Sequence, residues 1–169
     1  IVLMPKKRNR LIVQRNEEED TKIKVAISNV KRSEKRFQYS NDLKLKTTPK
    51  IIHGISIYKR EKQVALNALN HANYKCEVDK GHKCFLRKDG ETPYTEAHHL
   101  VPLSFQDDFE YSLDIEENIV SLCSNCHNEI HYGYNAINII TQLYEERKDL
   151  LKGKGIDITL EKLLSYYGY

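Results

Sequence analysis

Two thiols and two imidazoles crowd into one short stretch, "ENIVSLCSNCHNEIHYG", as Cys123, Cys126, His127 and His131. A Cys-x-x-Cys pair forms a knuckle, the turn that lets two thiolates meet one zinc ion at about 2.3 Å. Ser and Asn at the start of "SNCHNEIHYG" are capping residues and Gly133 is a stop signal, so the spacing predicts a short helix. His127 and His131 are four apart and share a face of that helix. Cys126 and His127 are neighbours, about 100° apart around it, and cannot easily serve one ion. The pattern asks for two metal centres back to back, one rich in sulfur and one in histidine.

The sulfur centre needs two more ligands. The chain has four cysteines, and Cys76, at the end of a predicted long helix, supplies one ligand. The other is Cys84 or His82, which are two apart and share a face of an extended segment. Cys₄ and Cys₃His are both closed structural zinc sites, and the residues alone do not choose between them. An even cysteine count also fits two disulfides. Nothing marks the chain as secreted, however, and an intracellular Cys-x-x-Cys points to metal.

The histidine centre draws on "TPYTEAHHLVPLS", residues 92–104. Alternation along an extended segment sends His98 and His99 to opposite faces. A metal-dependent hydrolase needs one imidazole to hold the ion and another to take a proton from the attacking water. His98 suits the first task, beside His127, and His99 the second. An imidazole, with an ordinary pKa of about 6.5, is the side chain for a base near neutral pH.

Around these motifs the chain divides by charge and by period. Residues 1–60 hold 16 Lys/Arg against 6 Asp/Glu, whereas the whole chain is only +3. A basic region of this kind suits a polyanion partner. Residues 22–30, "KIKVAISNV", half alternate and predict a strand, as does "IIHGISIY" at 51–58. From Lys59 the period turns helical, with Val64, Ala65, Ala68, Leu69 and Ala72 on one face. Turn signals at Lys80-Gly81 and Asp89-Gly90 predict a hairpin whose second strand ends at Pro102. An acidic loop and the short strand "IVSLC" follow. After Gly133 come a helix with Ile137, Ile140, Leu143, Tyr144 and Leu150 at core spacing, and a last helix capped by Thr159. Tyr132 and Tyr134 suit either base stacking or packing of these helices. No stretch approaches a membrane span and no start resembles a signal peptide, so the expectation is a soluble, cytoplasmic chain.

"TEAHHLVPLS" followed by "ENIVSLCSNCHNEIHYG" resembles the HNH (His-Asn-His) endonuclease family, in its zinc-knuckle branch and in the style of bacterial restriction-type nucleases. The three letters fall on His99, Asn118 and His127, and the resemblance covers roughly residues 74–133. It implies an α+β chain built on a ββα-metal finger, with Asn118 pinning the loop that orients His99. It adds His131 to His98 and His127 as ligands of a catalytic Mg²⁺ or Mn²⁺, and tilts the fourth zinc ligand towards His82. It implies hydrolysis of DNA phosphodiesters leaving a 5′-phosphate, in restriction or anti-phage defence. The loop "FQDDFEYSLDIEE" departs from the family by being longer, acidic and without glycine.

The expected organisation is a basic region 1–58 for DNA or as a linker, then residues 59–169 as the nuclease domain with C-terminal helices. A homodimer and membership of a longer chain are both compatible with it. The rival is a zinc-dependent nucleic-acid-binding module with an inactive centre. Keeping His98, His99, Asn118 and His127 together speaks against that rival.

Overall fold

The computed structural model describes residues 21–169. The apolar run Leu11–Val13 and the acidic stretch after it lie outside the described residues. Helix α1 occupies residues 21–28. There follow β1 (Lys50–Ile52), β2 (Ile55–Ile57), α2 (Lys62–His71), β3 (Glu96–His99), β4 (Ile119–Leu122), α3 (Ser124–Tyr132), α4 (Ala136–Gly153) and α5 (Leu160–Tyr166). Two short 3₁₀ turns, Leu103–Asp108 and Glu116–Asn118, lie within the acidic segment. No helix among the described residues is long and apolar enough to cross a membrane.

The centre is the antiparallel pair β3–β4, with His98 opposite Val120 and His99 opposite Ile119. Side chains alternate across it. Ile119 packs with Val64 and Ala68 of α2, while Val120 and Leu122 join the main core with Ile130 of α3 and Ile139, Ile140 and Leu143 of α4. β4 is buried along its whole length, covered on one face by α2 and on the other by α3 and α4. A four-residue pair alone would be marginal in water. Its stability comes from this cover.

Helix α2 forms from the apolar face read in the sequence, and Val64, Ala65, Ala68 and Leu69 are all buried. It stops short of Lys75 because Asn73 and Tyr74 take left-handed φ values of 54° and 55°. That reversal buries the Tyr74 ring and turns the chain towards Cys76.

Four sequence expectations are corrected. Residues 22–30 do not form a strand. Ile23, Ile27 and Val30 follow helical spacing and meet Leu66, Leu69 and Tyr74, so tertiary packing decides an ambiguous run. The stretch 51–58 is no single strand but the end of hairpin β1–β2, turned by His53 and Gly54 with φ of 51° and 76°. Positive φ at both turn positions matches strand twist. The expected 76–102 hairpin shrinks to one bridge, Leu86 with Pro93, and its second strand ends at His99 rather than Pro102, paired with β4. In α4 the buried apolar positions are Ala136, Ile139, Ile140, Leu143 and Leu151, whereas Ile137 and Leu150 are exposed. The helix is rotated so that Arg147 also turns inward, bonding Tyr39 and the Glu117 carbonyl at 2.8 Å each and pairing with Glu77.

Asn118 is buried and ties the acidic segment to the sheet. Its side-chain oxygen accepts from Val101 N–H at 2.9 Å, and its amide donates to the carbonyls of Val101 at 2.9 Å and Leu113 at 2.8 Å. Asn118→Ala strands one buried N–H and two carbonyls, so we expect a loss of about 3 kcal/mol in unfolding free energy by urea titration.

Candidate metal centres and active site

The knuckle begins at the end of β4. Cys123, rather than Ser124 or Asn125, caps α3: its Sγ accepts from Cys126 N–H at 3.4 Å. Gly133 ends the helix as expected, and a Cβ there would lie 2.4 Å from Glu129 Cγ. Cys76 reaches the knuckle from the turn after α2. The ring nitrogen Nδ1 of His82 lies 3.4 Å from Cys126 Sγ and 3.7 Å from Cys123 Sγ. Donor atoms of Cys76, His82, Cys123 and Cys126 all fall within 4.8 Å of one another. Of the two alternatives for the fourth donor, His82 joins this set. Cys84 stays outside it, half-buried, with its Sγ 3.9 Å from the His82 carbonyl.

The donor set fits zinc. Burial works against ionising Cys76, but N–H groups of Cys123, Asp79 and Val78 and the His82 ring outweigh it and draw the thiol down to about 7. Burial, with Cys123 and Cys76 adding to it, pushes Cys126 up. Three sulfurs this close favour a shared cation over shared protons, as a Cys₃His zinc site supplies.

On the other side of α3, His127 and His131 face His98 of β3. The three rings are mutually 5.0 to 5.2 Å apart between centroids, and their donor atoms form a second cluster within 4.8 Å. The back-to-back arrangement read from the helix phase is thus present. His127 Nδ1 meets the Glu96 carboxylate, which also bonds Ser124, Tyr94 and, at 2.9 Å, Lys24 of α1. Burial would raise the Glu96 carboxyl, but His127 and Lys24 hold it down to about 2. Glu96 therefore accepts from His127 Nδ1–H and leaves Nε2 for an ion. Burial, reinforced by His127, His131, His99 and Arg60, pushes His98 well below the usual histidine range. That favours the neutral ring a ligand needs.

His99 belongs to neither cluster. Its Nε2 lies 2.9 Å from Asp114 Oδ1. The other Asp114 oxygen accepts from Glu61 N–H at 2.7 Å, and Lys44 bonds the Asp114 carbonyl at 3.1 Å. Burial opposes ionisation of Asp114, but His99 and then the Glu61 N–H outweigh it and hold its carboxyl below the usual range. Burial outweighs the pull of Asp114 on His99, whose pKa falls below the ordinary value. His99 is then neutral at pH 7, donates from Nε2 and keeps a lone pair on Nδ1. His98, His99, His127, His131, Arg60, Ser104 and Tyr167 line one open pocket.

The sequence reading missed Asp114, Glu96, Arg60 and Tyr167. Asp114 is one acid among many in a segment read as a loop, with no period to mark it. Glu96 carried a usable signal, since residues two apart on a strand share a face and Glu96 shares that of His98. Tyr132 and Tyr134 are 79% and 105% exposed, so they do not pack the last helices.

Comparison with known proteins bears on residues 70–133, which match the model of the HNH endonuclease family. The chain is also 38% identical over 88 residues to the type IV methyl-directed restriction enzyme EcoKMcrA of Escherichia coli (strain K12). That stretch is 52% of this chain and 30% of the relative's length.

Proposed function

We propose that this chain, whose residues 70–133 match the HNH endonuclease family, hydrolyses DNA phosphodiester bonds, in restriction or anti-phage defence. The observation that carries the reading is the split of the two neighbouring histidines. His98 turns to His127 and His131, whereas His99 turns to Asp114, yet both reach one pocket.

In this reading His98, His127 and His131 hold a divalent cation, Mg²⁺ or Mn²⁺, which when bound stabilises charge on the phosphate and leaving oxygen. His99 Nδ1 takes the proton of the attacking water. The Asp114 carboxylate stabilises the imidazolium that forms. Arg60, in the same pocket, attracts the phosphate. Asn118 acts at a distance by fixing the segment that carries Asp114. Cys76, His82, Cys123 and Cys126 hold a structural zinc that sets α3, and so His127, against β3. The basic region 1–58 supplies sequence-independent attraction for the polyanion.

Supercoiled plasmid, methylated and unmethylated, incubated with the zinc-loaded chain tests this. Nicked and linear products are expected with Mg²⁺ or Mn²⁺ and none with EDTA in brief exposure. DNA binding without cleavage under any divalent ion would favour the rival binding module instead.

A further inference from the structure

We propose that Tyr167, beyond residues 70–133 that match the family model, is a positioning residue that selects which nitrogen His98 presents to the catalytic cation. The inference rests on the reading of His98 as a ligand.

The Tyr167 hydroxyl lies 2.7 Å from the Leu100 carbonyl oxygen and 2.8 Å from His98 Nε2. A carbonyl oxygen cannot donate, so the phenol commits its single proton to Leu100. Towards His98 it can then only accept, and Nε2 must carry a hydrogen. A neutral imidazole protonated at Nε2 has its lone pair on Nδ1. His98 therefore offers Nδ1 to an ion. His127 is set the opposite way, since its Nδ1 is occupied by Glu96 and Nε2 is left. Two ligands that face each other across β3 and α3 thus present opposite nitrogens, each dictated by a partner behind it.

Tyr167 is well placed to hold such a constraint. It caps the C-terminal end of α5. That helix is seated by Leu163, fully buried, and by Tyr166, whose hydroxyl donates to Asp108 at 2.5 Å and whose ring stacks on Phe105 at 3.8 Å. The Leu100 carbonyl belongs to the residue that follows the histidine pair. One hydroxyl thereby joins α5 both to the His98 ring and to the backbone beside it. A partner of this kind sets ring orientation and tautomer, and its loss typically weakens metal affinity about 10–100-fold. On this view α5 completes the metal centre rather than only covering the core.

Two measurements on the full, zinc-loaded chain test the proposal. Long-range ¹H–¹⁵N spectra should show wild-type His98 as the Nε2–H tautomer, and Tyr167→Phe as a mixture. A wild-type Nδ1–H tautomer would overturn the proposal without any variant. Mn²⁺ alone, titrated and followed by electron paramagnetic resonance, should bind Tyr167→Phe about 10–100-fold more weakly than wild type, with zinc content and melting temperature unchanged. Equal Mn²⁺ affinity would overturn it too. If wild type and His127→Ala take up Mn²⁺ alike, the histidine cluster is no ion site and the reading beneath fails. The tautomer result then still decides what Tyr167 does to His98.

Discussion

His99→Ala is expected to lower plasmid cleavage about 10²–10⁴-fold, the usual contribution of a general base, with zinc content, fold and DNA affinity nearly unchanged. His99 lies outside both donor clusters, so neither cluster loses a donor. Asp114 loses its ring partner but keeps the Glu61 N–H, which limits the structural cost. His98→Ala should behave differently. It removes a ligand, so excess Mn²⁺ should restore part of the rate, whereas no concentration of Mn²⁺ should restore His99→Ala. The check is the initial nicking rate across a Mn²⁺ series, beside elemental analysis for zinc. Wild-type nicking by His99→Ala would place the base elsewhere.

Cys126→Ala is expected to do more damage, and of another kind. Cys126 is buried at the start of α3, where the knuckle gathers the turn after α2, the His82 segment and the end of β4. Structural zinc binding is worth about 10–16 kcal/mol in small units, far more than a domain's usual margin. Removing one thiolate should therefore release the zinc and unfold residues 70–133. A zinc-to-protein ratio near zero and loss of the cooperative melt would show it. Cys84→Ala should retain full zinc, because Cys84 is outside the donor set. A variant Cys126→Ala that keeps both zinc and its melting transition would refute the staple.

Legibility divided along physical lines. Two separate candidate donor clusters could be read from residues 76–131, with the choice between His82 and Cys84 left open, because the chemistry is encoded in short spacings. A Cys-x-x-Cys turn, a four-residue helical step and a two-residue strand step each place donors by local geometry alone. The family resemblance came from the same stretches. The helices α2 and α5 were readable as well, through an apolar face in one case and the Thr159 cap in the other, whose Oγ1 accepts from Lys162 N–H at 3.2 Å.

What the sequence determined by itself was thus the set of chemical groups and their local phase: four sulfurs, a histidine pair on opposite faces, and a helix carrying one ligand type on each side. Only the tertiary structure decided which groups complete each centre. His82 prevailed over Cys84 because of where the turn after α2 delivers the segment. Asp114, Glu96 and Tyr167 were assigned by contacts across 15, 31 and 69 positions of chain. The same holds for residues 22–30, read from their partial alternation as a strand but helical over 21–28, where Leu66, Leu69 and Tyr74 give Ile23 and Ile27 somewhere to pack. Local periodicity carries no information about partners that distant, because their proximity arises from burial of the whole core rather than from the step of any one element.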